Sequence, residues 1–248
     1  MNNILKDYIP YTRTNKVQVD YYVKEILKSK KLNQQSLNVL DLGCGKGESL
    51  KFFKSLNPNI EWHGIDIDKS PEVFSRTENN ERFLTFDGIN IPFQNNYFDL
   101  IYCKQVLEHV RYPQELLTEV NRVLKPEGYF IGSTSHLEPF HSYSFWNFTP
   151  YGFSILIKEV NLKLLELRPT IDSLTLIIRR CLGSSKIFNI FWKIESPLNF
   201  LLTLIGKIFR IPSLTINLIK LNFCGQFIFI VQKENLGELT PSKNFIEN

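Results

Sequence analysis

Residues 39–48 read VLDLGCGKGE, an apolar run that leads into closely spaced glycines and then into a segment with helical period. Glycine lets the backbone turn sharply and approach a ligand without a Cβ in the way. The first turn of the following helix leaves backbone N–H groups free to bind a polar ligand. The stretch therefore predicts a strand, a tight turn and a helix that together form a ligand-binding loop.

The spacing of these glycines argues against a dinucleotide-binding loop. That fingerprint is G-x-G-x-x-G, whereas the glycines here follow the pattern G-x-G-x-G, and Glu48 stands where the fingerprint has its last glycine. A structural turn and a different nucleotide site are both compatible with the loop by itself. The segments that follow in the chain decide between them.

Short apolar runs and segments of helical period alternate around this loop. The clearest helix covers residues 113–124, because Pro113 suits a first helical turn and the segment KPEG at 125–128 ends it. A further helix is predicted over residues 17–32. Such alternation predicts a parallel sheet covered on both faces, which binds ligands beyond the carboxyl ends of its strands. The predicted strands are residues 38–42, 61–66, 82–86, 98–103 and 129–134.

Two carboxylates follow predicted strands in the order that a nucleoside site requires. Asp66 ends the second strand, about twenty residues after the glycines, where a carboxylate can bind ribose hydroxyls. Asp87 follows the third strand, where it can meet the adenine amino group. Asp99 instead begins the fourth strand and is expected to be a structural carboxylate.

The run from about residue 38 to residue 134 resembles the S-adenosylmethionine (SAM)-binding core of class I methyltransferases, in the branch called type 11. The resemblance covers roughly two-fifths of the chain and implies a Rossmann-like α/β fold. That fold has a seven-stranded, mostly parallel sheet with helices on both faces and an antiparallel last strand. One departure is Glu127, where the family has a second glycine, so a turn is expected to differ. The motifs that carry the resemblance are, in order, VLDLGCGKG, GIDID, FDGINIPF, FDLIYCKQVLEHV and LLTEVNRVLKPEGYF.

The resemblance also implies SAM as the cofactor and a role for each matching position. Asp41 would lie near the amino group of SAM, Asp66 on the ribose, and Ile67 against the adenine. The loop under the methionine part comprises Gly43, Cys44, Gly45 and Gly47, while Asp87, Gly88 and Ile89 would read the adenine edge and Cys103 would close the site. No metal site is expected, because the four cysteines are far apart and form no Cys-x-x-Cys pair.

The segment 136–151, HLEPFHSYSFWNFTPY, is rich in aromatic residues and is interpreted as a lid. His141 is the first candidate for a base that takes a proton from an acceptor hydroxyl, His136 the second and His109 the third. The alternatives are a hydrogen-bonded histidine in an aromatic lid and, for His109, a buried structural pair with Glu108. A helix is predicted to open at Thr149, with Thr149 as its N-cap.

The same segment resembles methyltransferases from surface-polysaccharide gene clusters, which implies a sugar or glycan precursor as the methyl acceptor. The residues that carry this resemblance are Pro139, His141, Phe145, Trp146, Phe148, Thr149, Pro150 and Gly152. Two alternatives are a methyltransferase of quinones or other lipid-like metabolites and, from a different class, a non-catalytic interaction protein with the SAM fold.

Residues 174–220 combine many apolar side chains with seven basic residues and one acid. This composition favours a surface that lies on a membrane or covers a lipid-linked acceptor. The alternative is a helical cap that packs on the sheet or forms a homodimer. A nucleic-acid partner is not expected, because the apolar excess does not suit a phosphate-binding groove.

The chain of 248 residues is thus predicted to form one α/β domain with an apolar helical insertion before the last strand. A cytoplasmic location is expected, at the inner face of a membrane if the insertion binds lipid, because residues 1–20 contain no apolar core of a signal peptide. The predicted segments are an N-terminal helical part (1–35), the SAM-binding core (36–170), the insertion (171–221), the last strand (222–233) and a flexible tail (234–248).

Overall fold

The computed structural model describes residues 3–12, 16–30, 36–76 and 82–235. The predicted tail lies outside the described residues from residue 236 onward, and so do residues 31–32 of the predicted first helix.

Seven strands form one sheet in the order β3-β2-β1-β4-β5-β7-β6. Strand β7 runs antiparallel to both of its neighbours, and the other pairs of strands are parallel. This arrangement confirms the predicted fold class. The strands are β1 (Asn38–Leu42), β2 (Glu61–Asp66), β3 (Phe83–Thr85), β4 (Phe98–Lys104), β5 (Leu124–Ser135), β6 (Leu162–Pro169) and β7 (Gln226–Lys233).

Helix α5 begins at the capping residue that the sequence predicts. Thr149 is the N-cap of α5, and its hydroxyl accepts a hydrogen bond from the backbone N–H of Gly152 at 3.0 Å, as predicted. The helices are α1 (Val19–Ser29), α2 (Glu48–Leu56), α3 (Pro71–Phe74), α4 (Pro113–Val123), α5 (Pro150–Glu159), α6 (Ser173–Cys181), α7 (Pro197–Ile208) and α8 (Ser213–Phe223). Within the described residues, 3-10 helices cover Asn3–Tyr8, Leu107–His109 and Lys186–Trp192.

Two apolar clusters cover the two faces of the sheet. On one face Leu40 and Phe130 pack with residues of α4 and α5, and on the other Val39 and Leu100 pack with residues of α1 and α2. Neighbouring residues of a strand point to opposite faces, so a central strand covered on both sides must be apolar at consecutive positions. This requirement explains why the central strands appear in the sequence as unbroken apolar runs.

Two strands begin several residues away from the predicted start. Strand β5 begins at Leu124 instead of residue 129, because Leu124 already pairs with Phe98 before the register of the two strands shifts. Strand β7 begins at Gln226 instead of residue 222, because α8 continues to Phe223.

Glu127 lies in the stretch where the register of β5 shifts, and its φ of 62° is in the left-handed region. Glycine adopts this conformation at little cost, whereas other residues do so rarely. The departure from the family pattern thus places a strained glutamate near the amino end of β5, an interior strand. It leaves the carboxyl ends of the strands unchanged.

The predicted insertion before the last strand consists of α6, a 3-10 helix, α7 and α8. Asp172 anchors its start, where its carboxylate accepts hydrogen bonds from the backbone N–H (2.7 Å) and the hydroxyl (2.9 Å) of Thr175. Asn217 of α8 donates a hydrogen bond to the carbonyl of Pro10 at 2.9 Å, which ties the insertion to the N-terminal segment. Among the described residues, no helix is both long enough and apolar enough to cross a bilayer.

Candidate active site

The loop after β1 can be built only with glycine at several positions. Gly43, Gly45 and Gly47 have φ values of 74°, 48° and 79°, which glycine tolerates best. A Cβ on Gly43 would lie 2.3 Å from a methyl group of Val106, and a Cβ on Gly47 would lie 2.5 Å from the ring of Phe83. The loop therefore needs glycine both for its backbone conformation and for its close contacts.

Asp66 holds this loop at the end of β2. Its carboxylate accepts a hydrogen bond from the backbone N–H of Gly45 at 2.7 Å and another from that of Ile67 at 2.8 Å. Burial raises the pKa of this carboxyl, and the two backbone hydrogen bonds oppose the rise. A carboxylate has about four acceptor positions, so Asp66 can still accept hydrogen bonds from hydroxyl groups of a ligand.

Arg76 secures the other side of the loop, and the sequence did not indicate it. Its Nε and Nη2 donate to the carbonyl of Gly45 at 2.9 and 2.6 Å, and its guanidinium lies over the ring of Phe83 at 4.2 Å. A single arginine after a short helix carries no recognisable signal in the sequence. Its contact with the loop arises only when α3 folds back toward β1.

Asp41 is buried at the carboxyl end of β1, where only 4% of its surface is exposed. The hydroxyl of Ser49 donates a hydrogen bond to it, yet burial raises the pKa of Asp41 to about 7. None of the ion pairs in the described part of the chain includes this carboxylate. A buried acid without a basic partner is costly unless a ligand supplies the positive charge.

Asp41 opens into a cleft of about 430 Å³. Asp20 of α1 and Tyr102 of β4 also line this cleft, and the hydroxyl of Tyr102 donates to Asp20 at 2.7 Å. The sequence did not indicate either residue as part of the site. The cleft is lined by Asp20, Asp41, Gly43, Cys44, Lys46, Glu48, Ser49, Phe52, Glu72, Tyr102 and Lys104.

The predicted adenine-binding residues lie together on an exposed turn after β3. Asp87 accepts hydrogen bonds from the backbone N–H groups of Ile89 (2.9 Å) and Asn90 (2.7 Å), and from the Asn90 side chain, which lowers the pKa of its carboxyl. Gly88 has a φ of 91°, and a Cβ there would lie 3.8 Å from the exposed side chain of Ile67. Ile67 therefore lies beside the turn, and the adenine contact remains a prediction.

Asp99 and Cys103, which were also singled out from the sequence, both lie in β4, and closure of the site by the backbone near Cys103 stays a prediction. Asp99 accepts hydrogen bonds from the Lys125 side chain at 2.9 Å and from the backbone N–H of Asn38 at 2.8 Å, which confirms the expected structural role. Cys103 is fully buried in β4, and burial raises the pKa of its thiol. A Cβ on Gly132 would lie 1.8 Å from the Cys103 carbonyl, so the backbones of β4 and β5 approach closely there.

The structure brings together two of the three candidate histidines. The rings of His109 and His141 lie 5.4 Å apart at nearly a right angle. His136 is directed elsewhere, because its Nδ1 contacts the carbonyl of Phe148 at 3.0 Å and its ring packs near Phe227. His136 therefore fastens the lid segment to the core, whereas His109 and His141 form a pair.

Glu108 lies next to this histidine pair and is fully buried. Its carboxyl group is within hydrogen-bonding distance of the hydroxyls of Thr134 (3.0 Å) and Ser135 (3.3 Å), and burial raises its pKa to about 7. Glu108, His109 and His141 carry ligand atoms within 4.8 Å of one another, so these three residues could hold a divalent metal ion. A mixed set of nitrogen and oxygen ligands suits zinc or manganese. The sequence pattern did not indicate this cluster.

The aromatic lid segment is pinned to the end of β4. The backbone N–H groups of Phe145 and Trp146 donate to the carbonyl of Glu108 at 2.7 and 3.1 Å, and the Trp146 indole donates to the carbonyl of Val110 at 2.8 Å. The rings of Phe140 and Tyr143 are mostly exposed. The segment thus places aromatic side chains beside the 3-10 helix that carries His109.

Gln105 is a further residue that the sequence did not indicate. Its φ of 57° is in the left-handed region, and its backbone N–H and side-chain amide both donate to Ser133, at 2.9 and 3.1 Å. Its Oε1 is buried and has no hydrogen-bond partner among the described residues. Strained backbone and an unsatisfied acceptor commonly mark functional positions.

Comparison with known proteins concerns the part of the site that contains the glycine loop. Residues 40–132 match a family model described as a methyltransferase domain. The matched stretch is about two-fifths of the chain. It contains every predicted cofactor-binding residue, whereas His136, His141 and the lid segment lie beyond it.

Curated relatives match the same part of the chain. A thiol S-methyltransferase of Rattus norvegicus is 30% identical over 141 residues, which cover 50% of this chain and 57% of the relative. A ubiquinone biosynthesis O-methyltransferase of Vibrio atlanticus is 26% identical over 166 residues, which cover 64% and 62%. The chain spans about half the length of most of the curated relatives that it matches.

Solved structures support the architecture. A phosphoethanolamine N-methyltransferase from Haemonchus contortus, in complex with SAM, aligns with 87% of this chain and 53% of its own at a TM-score of 0.53 and 16% identity. The [4+2]-cyclase SpnF aligns with 86% of this chain and 80% of its own at a TM-score of 0.57 and 15% identity. One fold thus serves different reactions, so the likeness shows the fold alone.

Proposed function

We propose that the chain transfers the methyl group of SAM to a hydroxyl oxygen of an acceptor that binds beside the aromatic lid segment. The observation that carries this proposal is Asp41, a buried carboxylate that forms no ion pair within the described part of the chain, beside a loop that needs glycine at positions 43 and 47. The α-ammonium group of SAM would supply the missing positive charge. An uncharged or anionic ligand would leave the cost of burying Asp41 uncompensated.

The other residues of the site would orient the bound donor. Asp66 would accept hydrogen bonds from the ribose hydroxyls, while Ile67 and Gly88 would lie against the adenine. Bound SAM would supply an electrophilic methyl carbon on a sulfonium. For an in-line displacement, the protein chiefly has to align the acceptor oxygen with that carbon and exclude water.

The transfer needs an acceptor for the hydroxyl proton. The bond between the methyl carbon and sulfur breaks as the carbon–oxygen bond forms, and the proton passes to a base. We assign this role to His141, because it lies in the lid segment against His109 and because Glu138 holds its Nδ1 at 3.7 Å. His109 would position the His141 ring from the end of β4.

Binding of SAM to two glycine variants tests the donor site. Gly47→Ala places a methyl group against Phe83, whereas Gly183→Ala meets nothing within 4 Å, although Gly183 also has a positive φ, of 66°. Both variants carry the same backbone penalty, so Gly183→Ala is a matched control. We expect calorimetry to show a large loss of SAM affinity for Gly47→Ala and unchanged affinity for Gly183→Ala. Equal affinities would contradict the proposed donor site.

For the acceptor we propose a sugar or glycan precursor, carried on a lipid. The exposed rings of Phe140, Tyr143, Phe145 and Trp146 support this choice, because they offer flat apolar surfaces beside a polar site. A quinone or another lipid-like metabolite is the alternative, and relatives named as ubiquinone biosynthesis O-methyltransferases favour it. A screen with labelled SAM against nucleotide sugars, lipid-linked glycans and short-chain quinols separates the two. Labelling of the quinols alone would overturn the glycan proposal.

A further inference from the structure

Helix α7 has its apolar residues on the outside. Only Asn199 and Gly206 of this helix are buried, whereas Phe200, Leu204 and Ile208 are 59%, 43% and 64% exposed. These three residues are four positions apart, so they share one face of the helix. A helix on a water-facing surface normally has the opposite arrangement, with its apolar face toward the core.

The inner side of α7 is held by polar contacts. The side-chain amide of Asn199 donates to the carbonyl of Thr170 at 2.6 Å, and the hydroxyl of Thr203 contacts Glu195 at 2.7 Å. Lys220 of α8 donates to Thr203 and forms an ion pair with Glu195. The one acid among residues 174–220 is therefore neutralised inside the protein.

Helix α6 repeats this arrangement. Thr175 is buried against Asp172, whereas Leu174, Ile178 and Leu182 are exposed on one helical face. The 3-10 helix between α6 and α7 adds Ile187, whose exposed fraction is 82%. The exposed apolar residues of these elements, called the α6–α7 surface below, are Leu174, Ile177, Ile178, Leu182, Ile187, Ile190, Ile194, Phe200, Leu201, Leu204, Ile208 and Phe209.

Six basic residues, listed below, belong to the same segment as this apolar surface. None of the six takes part in an ion pair within the described part of the chain. Since Glu195 is paired with Lys220, the segment offers positive charge outward with no compensating acid of its own. The six basic residues are Arg179, Arg180, Lys186, Lys193, Lys207 and Arg210.

We propose that the α6–α7 surface binds the interface of a bilayer that contains anionic phospholipids. The apolar side chains would enter the boundary between headgroups and acyl chains, and the lysine and arginine side chains would pair with the anionic headgroups. A symmetric dimer through the same patch would bring the positive charges of the two copies together, which is unfavourable. An apolar patch of this extent on a water-soluble surface also indicates an interaction site.

Backbone hydrogen bonds connect the start of α6 to the segment that carries His141. Gly225, at the end of the insertion, donates to the carbonyl of Ile171 at 2.8 Å and accepts from the backbone N–H of His136 at 2.7 Å. One residue therefore joins the start of α6 to the segment that carries His141. The connection would let a lipid-linked acceptor reach the site while its lipid carrier stays in the bilayer. This part of the inference rests on the proposed function.

Co-sedimentation of the full chain with vesicles tests the membrane proposal without SAM, so its result is independent of the methyltransferase proposal. We expect binding to vesicles of phosphatidylcholine with one-quarter phosphatidylglycerol, and much weaker binding to pure phosphatidylcholine. Phe200→Ser with Leu204→Ser should lower the partition constant by about tenfold or more. Lys193→Glu with Lys207→Glu should lower it by at least about 25-fold, at roughly fivefold for each basic residue.

Ile155→Ser is the matched control, because it removes an exposed apolar residue from α5 and should leave vesicle binding unchanged. Circular dichroism and unchanged thermal unfolding confirm that each variant is folded. The proposal is overturned if the wild-type chain stays in the supernatant at low salt, or if neutral and anionic vesicles bind it equally. It is also overturned if sedimentation velocity shows a dimer that the Phe200/Leu204 variant dissociates while vesicle binding is unaffected.

Discussion

Replacing Asp41 by asparagine should stabilise the ligand-free protein at alkaline pH. Burial raises the pKa of this carboxyl from 3.8 to about 7, so its ionised form is disfavoured in the fold. At about 1.4 kcal/mol per pKa unit, the ionised carboxylate costs roughly 4 kcal/mol of folding free energy. Asparagine keeps an oxygen that can accept the hydrogen bond from Ser49 but carries no charge.

The pH dependence follows from the direction of the shift. A carboxyl with a raised pKa binds its proton more tightly in the folded state than in the unfolded state. The free energy of unfolding of the wild-type protein should therefore fall as the pH rises from about 4 to about 7. The stability advantage of Asp41→Asn should be absent near pH 4 and reach a plateau of up to roughly 4 kcal/mol above pH 7. Urea unfolding of both proteins between pH 4 and pH 8 measures this difference in the free energy of unfolding.

The same substitution should weaken SAM binding. A hydrogen bond to a charged group contributes about 1.5–3 kcal/mol, so the loss at pH 8 should be about thirtyfold in Kd. The wild-type affinity should decline as Asp41 becomes protonated below pH 7, whereas the affinity of Asp41→Asn should change little with pH. Titration calorimetry between pH 5.5 and 8.5 separates the two proteins.

Asp99→Asn is the control for these measurements. It removes a carboxylate that pairs with Lys125 away from the cleft, so it should lower stability slightly and leave SAM affinity unchanged. If Asp41→Asn is less stable than the wild type at pH 8, or binds SAM equally well, then Asp41 is not an uncompensated acid that awaits a cationic ligand.

Three further predictions concern single side chains. Asp66→Ala should weaken SAM binding by about 2 kcal/mol, roughly thirtyfold, and unchanged affinity in calorimetry would remove Asp66 from the site. Arg76→Ala should weaken SAM binding by about fivefold through loss of its hydrogen bonds to the Gly45 carbonyl, and Arg76→Lys should restore little of it, because one ammonium cannot replace the planar fork. Cys181 should react with a thiol reagent in the folded protein while the other three cysteines react only after unfolding, and two or more rapidly reacting thiols would contradict the described burial.

The strands and the glycine loop could be predicted because local rules determine them. A central parallel strand must be apolar at consecutive positions, and a turn with positive φ beside a crowded neighbour must contain glycine. Thr149 and Pro150 mark the start of α5 for an equally local reason, since an N-cap acts within one turn. Asp66 followed from its place at the end of β2, whereas the role of Asp41 was implied by the family resemblance.

Other parts of the site depend on contacts between distant segments. Asp20 reaches the cleft only because α1 packs against the sheet beside Tyr102, and Arg76 reaches Gly45 only because α3 folds back. The sequence ranked His136 above His109 as a candidate base, yet the fold pairs His109 with His141 and turns His136 toward Phe148. Sequence spacing carries no information on these distances.

The sequence by itself determined the succession of strands and helices along the chain, the glycine loop after β1, and the presence of an apolar, basic insertion. It did not determine which way that insertion faces, because the same residues could cover the sheet or face outward. The tertiary structure decided this point: Asn199, Thr203 and Lys220 find polar partners inside, so the apolar residues of α7 face outward. The orientation of a helix depends on the contacts available to each of its faces, and residues distant in the sequence supply those contacts.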